Sequence, residues 1–259
     1  MLVLLSPSKS LDFETPVGVR DHSQPPFLED SQQLIELLRT LSREDIKSLM
    51  GISDKLADLN YERYRDFALP FSPENARQAL WAFTGDVYTD FQLPSYGEED
   101  VRFAQEHLRM LSGLYGVLRP LDLIQPYRLE MGTRLKNARG KNLYEFWGTK
   151  ITEALNKSLA EQDSKAVINL ASNEYFKSVD KKALQGNLVT PVFRDRKGDT
   201  YKIVAFWAKR ARGTMADYIV RERITDPERL KGFTGGGYIF SDERSTEREY
   251  VFLREEQPR

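Results

Sequence analysis

The spacing of apolar residues changes along this chain, and that change restricts the possible folds more than any other feature. Between residues 28 and 111 apolar side chains recur every three or four positions, as with Leu34, Leu37, Leu38 and Leu41. This is the spacing of one helix face. From Ala166 onward they gather into short runs: Ala166–Leu170, Leu188–Phe193, Tyr201–Trp207, Tyr238–Phe240 and Tyr250–Leu253. Runs of that length bounded by turn residues read as strands, and Leu2–Leu5, closed by Ser6-Pro7, is another. Because helices and strands do not alternate strictly, the expected class is α+β. The expected organisation is a single mixed domain over residues 1–259, with a helical lobe at about 28–111 packed on a strand-rich part at 1–12 and 160–259.

Local signals place several boundaries. Ser42, with Asp45 three residues on, forms an acidic capping box that opens a helix. Gly51 suits the left-handed position that ends it, and Ser53 suits the N-cap of the next. Helical spacing extends, with breaks at Gly51 and Pro70, into Pro73–Phe83, and returns in Glu98–Leu111 and Leu143–Leu159. Asp195–Asp199, containing Gly198, reads as a hairpin turn, and Thr214–Ile224 as a helix capped by Thr214.

Charge decides which partners are open to the chain. There are 38 basic and 39 acidic side chains, for a formal net charge of −1, so no global basic field exists and an anion-binding surface has to arise by segregation in the fold. Two stretches show such segregation: Arg119–Lys141, with six basic residues against two acidic, and Arg194–Arg212, with seven against two. The chain has no cysteine, which excludes thiol catalysis, disulfides and zinc–thiolate sites. His22 and His107 are its two histidines and lie far apart; no serine–histidine triad or metal-ligand spacing emerges. No cofactor and no metal are expected. The apolar run at the N-terminus is four residues long, too short for a signal peptide or a membrane span, so the expected location is the cytoplasm, with no membrane partner.

The candidate binding residues fall into four groups. The first is the hairpin Lys47, Gly51, Ile52, Ser53 and Lys55, where a helix N-terminus and a first-turn lysine can hold a backbone phosphate; an ordinary turn between bundled helices is the other reading. The second is Lys209, Arg210 and Arg212, expected just ahead of a helix start at Thr214, an arrangement that suits a docked anion unless the three side chains splay into water. In the third, Lys9, Lys177 and Lys209 each follow an expected strand, and ligands in sheet proteins gather beyond strand carboxyl ends. The fourth is Arg119 and Arg128 in a loop with Tyr127 and Glu130, suited to phosphate binding and base stacking, or else an Arg128–Glu130 pair bracing the loop.

Residues 49–57, read as Leu-x-Gly-Ile-x-x-Lys-x-Ala, resemble the helix-hairpin-helix motif of DNA-repair proteins, with Ser53 where that motif has its second glycine. Over nearly the whole chain, Ser6–Leu11, Phe83–Tyr88, Leu111–Gly132, and Asn169–Lys177 with Ala208–Gly213 are together similar to the YaaA family of bacterial peroxide-stress proteins. The resemblance implies protection from hydrogen peroxide, with less free iron and less oxidative DNA damage. It also implies DNA binding through an unusual mixed fold with a basic cleft, the hairpin element falling on Lys47–Leu59. It supplies no catalytic residue. The expectation is therefore a non-enzymatic DNA-binding protein that contacts backbone phosphates of duplex or branched DNA with little sequence preference. One alternative is an enzyme acting on a nucleotide or damaged base, with Asp86, Glu130 or Glu174 as acid or base; another is iron sequestration by clustered carboxylates.

Overall fold

The computed structural model describes residues 1–255. In chain order its elements are β1 (Leu2–Leu5), β2 (Ser10–Leu11), α1 (Leu28–Arg39), α2 (Arg43–Met50), α3 (Asp54–Asp66), β3 (Arg77–Gln78), α4 (Ala79–Ala82) and β4 (Phe83–Thr84). Next come α5 (Glu98–His107), β5 (Leu108–Ser112), β6 (Gly116–Leu118), β7 (Leu123–Ile124), α6 (Leu143–Trp147), α7 (Lys150–Ala160) and β8 (Ala166–Asn169). The chain continues through α8 (Asn173–Phe176), β9 (Asn187–Lys197), β10 (Thr200–Lys202), α9 (Ala205–Arg221), β11 (Tyr238–Phe240) and β12 (Glu249–Arg254).

One main mixed sheet runs β11-β12-β9-β8-β1-β5-β6, with β10 paired to β9. Its central strands, from β12 through β9, β8 and β1 to β5, are parallel, whereas β6, β10 and β11 are antiparallel at its margins. The fold is α+β. Parallel strands are covered on both faces, and β1, β5 and β8 are buried at every position. That is why they read as unbroken apolar runs. Val3 pairs with Leu108 and Ile168, so β1 is the central seam of the core.

The capping box at Ser42 and Asp45 is present, and Gly51 adopts φ 60°, ψ 44°. Four boundaries differ from expectation. The helix from Glu98 stops at His107, and Leu108–Ser112 becomes β5; pairing with β1, remote in sequence, overrides the helical spacing. Only Ala79–Ala82 of Pro73–Phe83 is helical. Leu143–Leu159 is broken at Gly148 into α6 and α7. Finally, the strand expected over Tyr201–Trp207 ends at Lys202, and α9 starts at Ala205. Thr214 is therefore interior to α9, where its hydroxyl donates back to the Arg210 carbonyl at 3.1 Å.

His107, at the last turn of α5, is 6% exposed; its Nδ1 donates to the Met1 carbonyl at 2.7 Å and its ring packs at a tilt against Phe103. Burial lowers its pKa. The unfolded chain takes up a proton here near pH 6.5, while the folded chain resists until lower pH. In that interval the unfolded state binds more protons, so stability falls as pH drops below about 6.5. His107→Asn, which keeps a donor for Met1, is expected to flatten this part of the profile in urea titrations at a series of pH values. An unchanged slope would show that His107 contributes nothing to it.

Candidate functional site

The carboxyl ends of β1, β5 and β8 point the same way, and the chain leaves them through polar segments. After β1, Ser6 accepts a hydrogen bond from the Ser172 amide at 2.8 Å, and its carbonyl accepts one from the Tyr88 hydroxyl at 2.7 Å. Just beyond, Lys9 reaches Glu130 at 2.9 Å. The segment carrying Glu130 crosses the end of β5. A Cβ on Gly113 would lie 2.2 Å from the Leu129 carbonyl oxygen, so only glycine admits the crossing backbone. After β8, Glu174 accepts from the Gly132 amide at 2.9 Å, and the Lys177 ammonium lies 4.9 Å from the centre of the Tyr144 ring.

Arg128 and Glu130 do pair, at 3.0 Å, which is the bracing interaction expected as one of two readings. It leaves positive charge uncompensated, however. The Arg128 Nε is buried without a hydrogen-bond partner among the described residues. Arg63 lies beside it, its pKa lowered by burial and then by the neighbouring Arg128 charge. The Tyr64 hydroxyl, on the same helix, donates to the Arg128 carbonyl. Helix α3 is thereby fastened to this end of the sheet, and Arg63 joins the site. Its sequence context gave no sign of this, since arginine on a helix of that length reads as solvent-facing.

Lys209, Arg210 and Arg212 do not precede a helix; they lie within α9. Lys209 reaches Asp86 at 3.7 Å and Arg210 reaches Asp90 at 2.5 Å. Gly85, next to Asp86, packs on Ser8, so Lys209 borders the same region as Lys9. Arg212 differs from both. It is half-buried, burial lowers its pKa, and it has no hydrogen bond, ion pair or ring contact among the described residues. Its neighbour Gly213 is packed against the Val87 backbone, which holds this stretch of α9 near the Gly85–Tyr88 turn.

The hairpin between α2 and α3 stands apart from this cluster. Lys55 precedes Tyr64 by nine residues, about 14 Å along α3. Lys47 is paired with Asp54 at 2.7 Å; Lys55 is exposed and has no partner among the described residues. Ser53 occupies the N-cap without a side-chain cap bond. Ile52 is 9% exposed and packs into the core, so the hairpin presents its backbone rather than the Ile52 side chain.

Arg119 is not brought to this end. It follows β6, which runs antiparallel to β5, and Leu118 pairs with Met110. Arg119 instead holds the buried Asp122 at 3.0 Å, and Asp122 also accepts from Ser23. This is an internal brace. Of the three carboxylates considered as acid or base, Asp86 pairs with Lys209, each Glu130 oxygen is taken by a different cation, and Glu174 holds the Gly132 amide. Among the described residues no group of three histidines or carboxylates converges to hold a metal ion. No helix there is long and apolar enough to cross a membrane.

Comparison with known proteins puts a family beside this geometry. Residues 1–244 match the family described as peroxide stress protein YaaA. A UPF0246 protein of Alteromonas mediterranea is 55% identical over 257 residues, covering 99% of both chains. A family match spanning four of the five central strands of the sheet and every cation described above leaves one assignment: the chain belongs to the peroxide stress protein YaaA family.

Proposed function

We propose that this protein acts in the peroxide-stress response by binding duplex or branched DNA through its backbone phosphates, and so limits iron-driven oxidative damage. The reading rests above all on Arg212, a half-buried cation with no counter-ion among the described residues. Partial burial costs the guanidinium some of its hydration and lowers its pKa, and an anionic ligand offsets that loss. Lys9, Arg63, Arg128, Lys177 and Lys209 surround the same end of the sheet, against Asp86, Glu130 and Glu174. The α2–α3 hairpin, with Gly51, Ser53 and Lys55, supplies a second phosphate contact at a helix N-terminus. Its separation of about 14 Å from the cluster spans roughly four base pairs of duplex.

Phosphate contacts release counterions, so affinity should fall steeply with salt. With three to five contacts, the slope of log K against log salt is expected to be roughly −3 to −4.5. Fluorescence anisotropy with a labelled duplex between about 50 and 200 mM salt measures it. Two duplexes of unrelated sequence should give the same slope. A flat response would remove the proposal. The alternative of a carboxylate-driven enzyme draws no support from Glu130, because both its oxygens are engaged by cations.

A further inference from the structure

Beside the Gly85–Tyr88 turn lies a cavity of about 590 Å³ that the DNA-binding reading does not use. Five aromatic residues, Trp81, Phe83, Tyr88, Phe91 and Tyr96, stand among those that line it. Into this setting the fold places Arg77, which is 9% exposed overall and lines the cavity. Its Nε donates to the Trp81 carbonyl at 3.2 Å, and its two terminal nitrogens have no partner among the described residues. They are also absent from the buried atoms sealed off without a hydrogen bond, so they face open space. At the rim stands Asp12, whose Oδ1 accepts from the Glu14 and Thr15 amides at 2.8 and 3.0 Å and whose charge acts on Arg77.

The size is that of a small-molecule site, for which apolar and aromatic walls with a few placed polar groups are the usual construction. The polar groups narrow the ligand. A guanidinium fork matches two adjacent acceptors in one plane, and a carboxylate accepts from adjacent donors. Aromatic walls favour a flat π-system between them. Guanine carries all three features: O6 and N7 as paired acceptors, a donor edge at N1 and N2, and a planar ring. Adenine presents its N6 amino donor where the guanidinium needs an acceptor.

We propose that this cavity binds the guanine base of a nucleotide, with Arg77 donating to O6 and N7, Asp12 accepting from the N1 and N2 edge, and the aromatic walls enclosing the ring. Nothing in this proposal depends on DNA binding.

The test is isothermal titration of the full chain with guanosine monophosphate, adenosine monophosphate and inorganic phosphate, in the absence of DNA. The guanine nucleotide is expected to bind more tightly than the adenine nucleotide by about 5- to 150-fold, the discrimination of one bidentate base contact. Inorganic phosphate should neither bind at comparable strength nor compete. Arg77→Lys keeps the charge but not the fork and is expected to weaken guanosine monophosphate at least about tenfold. Asp12→Asn, at the rim and away from the core, is expected to weaken it at least about fivefold and keeps the test valid if the Arg77 variant does not fold. Equal affinity for the two nucleotides, full competition by phosphate, no heat with guanosine monophosphate at millimolar concentration, or an unaffected Asp12→Asn variant would each overturn the proposal. A separate salt titration with duplex DNA stands or falls on its own.

Discussion

Gly213→Ala is expected to destabilise the protein by at least about 3 kcal/mol, lowering its melting temperature by roughly 6 to 12 °C. On helix propensity alone the sign would be the opposite, since alanine is favoured over glycine by about 1 kcal/mol in a helix interior, and Gly213 sits in the middle of α9. The added Cβ, however, would lie 1.8 Å from the Val87 carbonyl oxygen and 2.7 Å from its carbon. Both are backbone atoms and cannot rotate away. To make room, the Gly85–Tyr88 turn would have to leave α9, which would strain the Tyr88–Ser6 hydrogen bond and the stacking of Tyr88 on Phe91. Thermal melts followed by circular dichroism measure the change. A melting temperature equal to or above that of the parent would mean that α9 and this turn are not in contact.

Arg212→Met is expected to do the reverse to stability and to impair binding. The substitution removes a half-buried charge that has no partner among the described residues and keeps an unbranched side chain. Removing a partly desolvated charge that no carboxylate offsets costs the folded state nothing in pairing, so the urea midpoint should hold or rise. In the same variant, affinity for duplex DNA should fall and the salt slope should become shallower by about one. This opposition is the mark of a residue retained for its ligand at some expense of stability. A loss of stability together with unchanged DNA affinity would assign Arg212 a structural role and remove the main support for the proposed function.

The features legible in the sequence are those with a local cause. The Ser42–Asp45 box satisfies orphan amides within one turn, and Gly51 takes up a left-handed conformation that the residue itself permits. The turn at Gly198, between β9 and β10, is equally local. The reading of Tyr201–Trp207 as a strand followed the same logic and failed. Its apolar and aromatic residues suit a strand, but β9 pairs with β12 from Thr190 to Asp195 and offers β10 only Asp195–Lys197. Beyond Lys202 the chain turns into α9, leaving Ile203, Phe206 and Trp207 exposed. The helix expected to continue through Leu111 failed for a related reason: Leu108–Ser112 gains more as a buried parallel strand beside β1 than as a fourth helical turn.

For the candidate site the division is sharper. Lys9, Arg128, Lys177, Lys209 and Arg212 were recognisable as residue types in suggestive places, yet their sequence neighbourhoods did not separate them from Arg119, which the fold turns into a brace on Asp122 at the other end of the strands. Arg63 and Arg77 carry no local signal, because each owes its position to a contact made across the fold. By itself the sequence determined the α+β class, the short-range caps and turns, and the near balance of charge, all of which follow from composition and from interactions within a few residues. Only the tertiary structure decided which cations lose their solvent and which find a carboxylate, because desolvation and ion pairing depend on distance in space, and the chain brings Ser6 into contact with Tyr88 and Ser172 at one end of the sheet from 82 and 166 residues away.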